Sequence, residues 1–243
     1  FDVVVLDRER QRITKLLQNH GYYRFHKDFL AYQADTARNT FVVDLTMKLL
    51  PYQRRKEDLP TPHKPYKIRN VNFLTEDNVT RFDNDLSRFD SLRYKGLNIY
   101  YKDHVYLRPD VLSDFNYIEP QTLYSEQAVQ NTYASMGRLR ALKYTNVRFE
   151  EVMHNDSAQL DAHVLMTKSK DKSLAFEVEG TNSAGDWGAA ASMTFQHKNL
   201  FKGSETFTFK VRGAFEAITG LEDGYETDDY KEYGIESSLN FPS

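Results

Sequence analysis

Residues 187–218 alternate between two sets of side chains. Trp187, Ala189, Ala191, Met193 and Phe195 hold one set of positions, and Gly188, Ala190, Ser192, Thr194 and Gln196 the other. After a short link, Phe207, Phe209, Val211, Gly213 and Phe215 repeat the pattern against Thr208, Lys210, Arg212, Ala214 and Glu216. A period of two puts each set on one side of a sheet. Such strands run to roughly 9–12 residues, against a usual mode of about 5–6. Phe207, Phe209, Val211 and Phe215 would need a covering layer in water, and the remaining sequence hardly supplies one. Long alternating strands in tandem hairpins are what a transmembrane β-barrel requires.

Composition limits the alternatives. The chain has 243 residues with a formal net charge of −3, which gives no reason to expect nucleic acid as a partner. It has no cysteine, so disulfides and thiolate chemistry are excluded. Its 16 tyrosines and 16 phenylalanines favour strands. No stretch approaches the roughly 20 apolar residues of a membrane helix, which leaves a barrel open. The start at Phe1, without a signal peptide, and the stop at Asn240-Phe241-Pro242-Ser243 read as cuts in a longer precursor.

A helix is expected from Asp7 to about Asn19, with Asp7 as its N-cap and Gly21 ending it. A strand from Tyr22 to about Tyr32, a turn through Ala34–Asn39 and a strand through Phe41, Val43, Leu45, Met47 and Leu49 follow. Residues 51–65, with four of the seven prolines and the run Arg54-Arg55-Lys56-Glu57-Asp58, read as a linker. Next come a strand at Lys67–Leu74, a polar stretch over 76–91 and a small hairpin around Gly96. A short helix over Arg108–Asp114 carries Pro109 in its first turn. A longer helix opens at Ser125, with Val129, Tyr133 and Met136 as a stripe packed on its own sheet. Strands Val147–Met153 and Leu160–Thr167 complete this part. Helix, Tyr22-Tyr23-Arg24-Phe25, turn and Val43–Met47 match helix, Asn146-Val147-Arg148-Phe149, turn and Val164–Thr167, so a β-α-α-β-β module is repeated. Four barrel-type strands end the chain, at Leu174–Thr181, 187–196, 207–216 and Glu232–Phe241.

The run Asn146-Val147-Arg148-Phe149, the stretch from Glu177-Val178-Glu179-Gly180 to Ala184-Gly185-Asp186, the turn Asn199-Leu200-Phe201-Lys202-Gly203-Ser204-Glu205, and Arg212-Gly213-Ala214-Phe215-Glu216 carry a family likeness. Together with the module order they resemble the outer-membrane assembly factors of the BamA/TamA type, in their Bacteroidota-like form. The resemblance implies α+β POTRA modules leading into the first four antiparallel strands of a barrel that has 16 strands in the whole protein. Its divisions would be the end of one POTRA domain (1–50), a linker (51–65), a last POTRA domain with an insertion near 76–104 (66–170), and barrel strands (171–243). It implies an outer-membrane location with the POTRA domains in the periplasm. The partners would be unfolded outer-membrane proteins, periplasmic chaperones, accessory lipoproteins and outer-membrane lipid.

On this resemblance the first barrel strand is a lateral gate. Leu174, Ala175, Phe176, Glu177, Val178, Glu179 and Gly180 would offer backbone to a client strand. Edge strands carrying Tyr23, Phe25, Val147 and Phe149 would receive clients by strand addition. A dedicated secretion pore, or a barrel carrying an upstream enzyme domain, is the alternative. No cofactor, metal or catalytic group is expected. Glu177 and Glu179 share a strand face, but solvated lumen charge is the ordinary reading. His154 and His163 flank a turn without a third ligand. Asp223, Glu226, Asp228 and Asp229 fit no EF-hand order and read as a solvated loop.

Overall fold

The computed structural model describes residues 2–35, 43–53, 57–76, 85–154, 157–183, 186–217 and 229–242. Its elements are α1 (Val3–Gln18), a 3₁₀ turn (Lys27–Phe29), β1 (Leu30–Asp35), β2 (Asp44–Leu49), β3 (Lys67–Glu76), β4 (Asp90–Tyr94), β5 (Leu97–Tyr101), α2 (Pro109–Asp114), α3 (Glu126–Met136), β6 (Leu142–His154), β7 (Ser157–Lys168), β8 (Lys172–Ser183), β9 (Asp186–Lys198), β10 (Thr206–Ala217) and β11 (Asp229–Asn240).

The last four strands form an open antiparallel sheet in the order β11-β10-β9-β8. Each is 12 or 13 residues long, longer than the alternation alone marked out. Register turns the four separate alternations into one surface. Phe176, Met193, Val211 and Ile235 lie in a row across the sheet, next to Leu174, Phe195 and Phe209. The opposite face takes Glu177, Ser192, Lys210, Arg212 and Glu236. The apolar face is uncovered: Phe176 is 69% exposed, Val178 83% and Ile235 73%.

Residues 66–168 form a five-stranded sheet of order β4-β5-β3-β7-β6 with α2 and α3 on one face. The core lies between sheet and helices, where Val71, Phe73, Leu160 and Val164 meet Leu112, Val129, Met136 and Leu139. Pro109 stands in the first turn of α2, as expected, and the Ser125 hydroxyl caps α3 by accepting from Ala128 N–H at 3.3 Å. The order β, α, α, β, β is present, with a hairpin inserted after the first strand. That hairpin is β4-β5, closed by Lys95 and Gly96, both at positive φ, as a two-residue turn demands. β5 lies parallel beside β3, so the insertion continues the sheet past the strand it follows. On the sheet's second face Leu86, Phe89 and Tyr100 pack over Leu74 and Leu165.

The N-terminal part departs from the sequence expectation in two ways. Helix α1 starts at Val3, capped by Asp2, whose side chain accepts from Val4 N–H at 2.8 Å. Asp7 lies inside the helix and pairs with Arg10 and Lys27. Tyr22–Phe29 is not a strand. Phe25 N–H turns back to Tyr22 C=O, and a 3₁₀ turn capped by His26 follows. The aromatic rings explain this. Phe25 is buried against Phe29 and His63, whereas Tyr23 packs on Tyr66, Tyr124 and Phe149. One extended strand could not send neighbouring odd positions into two different clusters. The first copy of the repeated strand therefore begins at Leu30. Its partner β2 opens at Asp44, while Phe41 and most of the Ala34–Asn39 turn fall outside the described residues.

The proline-rich stretch folds back on itself. Tyr52 and Thr61 exchange both backbone hydrogen bonds, and His63 packs edge-on against Phe29. Arg54, Arg55 and Lys56 fall outside the described residues.

Two joints connect these parts. At the first, Gly21 sits at φ +97°, with its C=O bound by Tyr66 N–H. Asn19 Oδ1 accepts from Gln127 N–H at 2.8 Å, so a side chain from the first helix caps α3 from outside. At the second, the turn Asn199–Glu205 between β9 and β10 docks on the five-stranded unit. Ser204 Oγ accepts from Ala141 N–H at 2.9 Å, and Asn199 Nδ2 donates to Tyr106 C=O at 2.9 Å. Arg108 N–H donates to Lys202 C=O, and Tyr106 Oη lies 2.8 Å from Asp171 Oδ1 and 2.9 Å from Ala141 C=O, its single proton serving one of the two. The buried Glu205 carboxylate holds the turn from inside by accepting from Gly203 N–H at 3.0 Å and Phe201 N–H at 3.3 Å. Asn199, Lys202 and Ser204 all adopt positive φ, which this bonding sustains.

Two substitutions test the joints. Gly21→Ala places a Cβ 3.0 Å from Pro65 Cβ in a left-handed backbone, and is expected to cost about 1–3 kcal/mol in denaturant unfolding. Glu205→Ala leaves two turn N–H groups without their acceptor, and is expected to cost about 1–3 kcal/mol. Trypsin should then cleave faster after Lys202 than in the parent chain, and an unchanged rate would refute the role given to Glu205.

Candidate functional site: two free strand edges

A strand edge exposes every second N–H and C=O of its backbone. Two edges coincide with residues marked from the sequence. Strand β8 borders the four-stranded sheet, and β6 borders the five-stranded one.

All seven gate candidates, Leu174, Ala175, Phe176, Glu177, Val178, Glu179 and Gly180, lie on β8. Lys198 N–H donates to Asp171 C=O, so Asp171 and Lys198 form a hydrogen-bonded pair. The pattern then alternates without a bulge along the β8–β9 register. Ala175, Glu177 and Glu179 direct their backbone groups to β9. Leu174, Phe176, Val178 and Gly180 direct theirs to the free edge. The residues with apolar outward side chains are thus also the ones with edge-facing backbone. Gly180 has no heavy atom within 4 Å of where a Cβ would stand, so space does not require glycine there. Gly185, marked for the turn, lies outside the described residues.

Glu177 and Glu179 do not form a mutual acid/base pair. Glu177 lies 4.0 Å from Lys210 and accepts from Ser192 Oγ at 3.2 Å, while Glu179 lies 3.8 Å from Arg212. Each link crosses over β9, where Ala190 and Ser192 leave room. Long charged side chains thereby tie β8 to β10 on the polar face.

Val147 and Phe149 lie on β6. Both turn their side chains toward the helix-side core and are partly buried. Val147 N–H donates to the hydroxyl of Tyr133 at 2.8 Å, so its backbone points to the edge, away from β7. Alternation gives Phe149 the same direction. Tyr23 and Phe25 lie on no strand and have no edge to offer. Instead, Tyr23 fills the joint between the first helix and the five-stranded sheet. Beside it Arg24 Nε donates to Glu151 Oε1 at 2.6 Å, and Tyr66 Oη donates to Glu151 Oε2 at 3.3 Å. Burial, reinforced by the Glu151 charge, holds the Tyr23 and Tyr66 hydroxyls above the usual phenol range. Burial works against the Arg24 charge, but its bond to Glu151 leaves the group above its ordinary value.

The two histidines hold different positions in the β6–β7 register. His154 pairs in register with Ser157, and His163 with Arg148. His163 is buried, with Nδ1 3.5 Å from Asn72 Nδ2 and Nε2 3.4 Å from Glu150. Among the described residues no three His, Asp or Glu groups are arranged to hold a metal. Asp229 opens β11, and the rest of the acidic loop lies outside the described residues. No helix among the described residues is long and apolar enough to cross a membrane.

Two of these findings could not be read from the sequence. Tyr133 looked like one of three core residues on a helix stripe, yet its hydroxyl reaches the sheet edge. Glu205, one charge in an ordinary turn, is the buried centre of a joint. Its only signal was the cluster Asn199, Gly203 and Ser204 in a short β-turn connection.

No protein-family model matches the chain, and no curated protein matches it. Solved structures do. The structure of BamA from Haemophilus ducreyi lacking POTRA domains 1–3 aligns with 98% of this chain at a TM-score of 0.50 and 12% identity. The chain spans 42% of that structure's length. CdiB from Acinetobacter baumannii aligns at a TM-score of 0.38 and 9% identity, covering 100% of this chain and 52% of its own. POTRA domains 3–5 of Haemophilus influenzae BamA align at 0.25 and 9%, over 67% of this chain and 80% of their own. The last two superpose too loosely to bear on the fold. Over 98% of its length, the chain therefore shares the fold of that POTRA-truncated BamA structure.

Proposed function

We propose that the chain belongs to an outer-membrane protein assembly factor, with β8 as its gate strand. The observation that supports this reading most is the geometry of β8. It is a 12-residue strand in an apolar-faced wall, and the free backbone of Leu174, Phe176, Val178 and Gly180 points outward along its edge. In hydrocarbon each unsatisfied backbone group costs several kcal/mol, so such an edge must take up another strand. An incoming client strand would satisfy it through main-chain bonds, with tolerance for many sequences.

In this reading the four-stranded wall faces outer-membrane lipid, and residues 1–50 and 66–170 stand in the periplasm as POTRA segments joined through 51–65. The clients are unfolded outer-membrane proteins, delivered with the help of periplasmic chaperones and accessory lipoproteins. Edge strand β6, through Val147 and Phe149, would hold a client before transfer. Client binding is not proposed for Tyr23 and Phe25.

The edge phase makes a sharp test possible. Proline at Phe176 or Val178 removes an N–H that points to the free edge, not one that pairs with β9. Both variants should keep the β8–β9 ladder and a full-length, protease-resistant wall, yet lose the disulfide cross-linking to cysteine-bearing client strands that an introduced Leu174→Cys gives in the otherwise unaltered chain, and lower the levels of many outer-membrane barrels. Normal insertion by folded variants would sink the gate assignment. Loss of one secreted protein, with barrel levels unchanged, would identify a dedicated exporter instead.

A further inference from the structure

The free edge of β6 is not bare. Tyr133, on α3, lies across it with its phenol oxygen at Val147. The hydroxyl accepts from Val147 N–H at 2.8 Å and lies 3.4 Å from Val147 C=O and 3.3 Å from Asn146 Oδ1, its single proton serving one of these two. An added strand makes the same two contacts on an edge residue: it accepts from the N–H and donates to the C=O. We propose that Tyr133 is a placeholder for an incoming strand, marking Val147 as the rung where a client segment docks on β6 and yielding when one arrives. The inference rests on the proposed role of β6 as a receiving edge.

Several features fit this assignment. Tyr133 is partly buried against the core, with its hydroxyl at the rim, so rotation about its side-chain bonds can withdraw the oxygen without opening the core. Thr132, the neighbouring residue, is fully buried and accepts from Tyr117 N–H at 3.0 Å, which anchors the helix while the tyrosine moves. The exposure cost of losing the contact is small, because Val147 N–H at an edge can bond water. The edge also selects a chemistry. Val147 and Phe149 present apolar side chains on one face, and Asn146, Arg148 and Glu150 present polar and charged groups on the other. A strand laid alongside would continue both faces. The fitting partner is an extended, amphipathic segment alternating apolar and polar residues, as an unfolded barrel strand does. The opposite border of this sheet, β4, offers Asp90, Ser91 and Arg93, with a charge-studded edge of the kind that discourages pairing.

The test uses Tyr133→Phe, which keeps the ring and removes only the oxygen. The probe is a synthetic peptide copying residues 206–217 of this chain, carrying a fluorophore and a photo-cross-linker, with a doubly proline-substituted copy as control. Binding to the full chain in detergent micelles is measured by anisotropy, cross-links are mapped by mass spectrometry, and Val147 amide exchange is followed without peptide. The proposal expects cross-links within 142–154, faster Val147 exchange in Tyr133→Phe, and peptide binding about 2- to 10-fold tighter than to the parent chain. The proline copy should bind neither. Cross-links at 142–154 with equal affinity for parent and variant would overturn the placeholder role but leave β6 as a receiving edge. Cross-links confined to 172–183 in both proteins would overturn the receiving edge itself.

Discussion

The hydrogen-bonding demand of the peptide backbone at a sheet edge organises this molecule. Each edge residue carries a donor and an acceptor that need partners, and the options depend on the surroundings. Water can serve them, a side chain can, or another strand can. In the proposed lipid setting water cannot serve the outward-facing residues of β8, which leaves another strand. Strand β6 has a tyrosine hydroxyl at Val147 and an arginine, Arg24, held against the nearby Glu151. The face of β3 that would be a third edge is closed by the inserted hairpin, which places β5 in parallel alongside it. The insertion is thus best understood as edge management: it moves the border of the sheet from the apolar β3 to the short and charged β4.

An edge is useful only if its position is fixed, and both joints serve that end. At the first, Glu151 on β6 binds Arg24 and Tyr66, while Asn19 caps α3. The helix bearing Tyr133 and the strand bearing Val147 are therefore each tied to the same preceding segment. At the second, Glu205, Ser204 and Asn199 clamp the β9–β10 turn onto Tyr106 and Ala141. Ala141 directly precedes β6, and its C=O also receives Ser169 N–H just before β8. The two edges consequently start from one knot of backbone bonds. A strand handed from β6 to β8 would travel between edges whose spacing is set by packing, not by a flexible tether.

Much of this arrangement was legible in the sequence, and the boundary of legibility is physical. Alternation in 174–181, 187–196, 207–216 and 232–241 marked four strands, since one buried or lipid-facing side forces a period of two. Ser125, Pro109 and Gly96 marked a cap, a helix start and a turn through local chemistry that needs no tertiary context. Tyr22–Phe29 misled because its aromatic residues follow strand composition, while the packing of Tyr23 is decided by Tyr66, Tyr124 and Phe149, 43 to 126 residues away. Asp7 was a plausible cap, but Asp2 lay five residues earlier with equal chemistry. Glu205 and Tyr133 were invisible because each acts through one atom placed by the whole fold.

The contrast between the two edges follows from what surrounds them in the proposed function. A periplasmic edge that stayed bare would invite pairing with any unfolded chain, including a copy of itself. A hydroxyl placeholder lowers that risk at little cost, because it gives up about one hydrogen bond when a true partner brings many. A lipid-embedded edge cannot use this device. A tyrosine hydroxyl there would need its own partner whenever it withdrew, and no water would be present to supply one. Protection of β8 must therefore come from another strand that can leave. The charged pairs over β9, Glu177 with Lys210 and Glu179 with Arg212, lie on the opposite, polar face, which in the proposed setting is the water-filled lumen side. They leave the backbone of Phe176 and Val178 to pair and unpair without disturbing the rest of the wall.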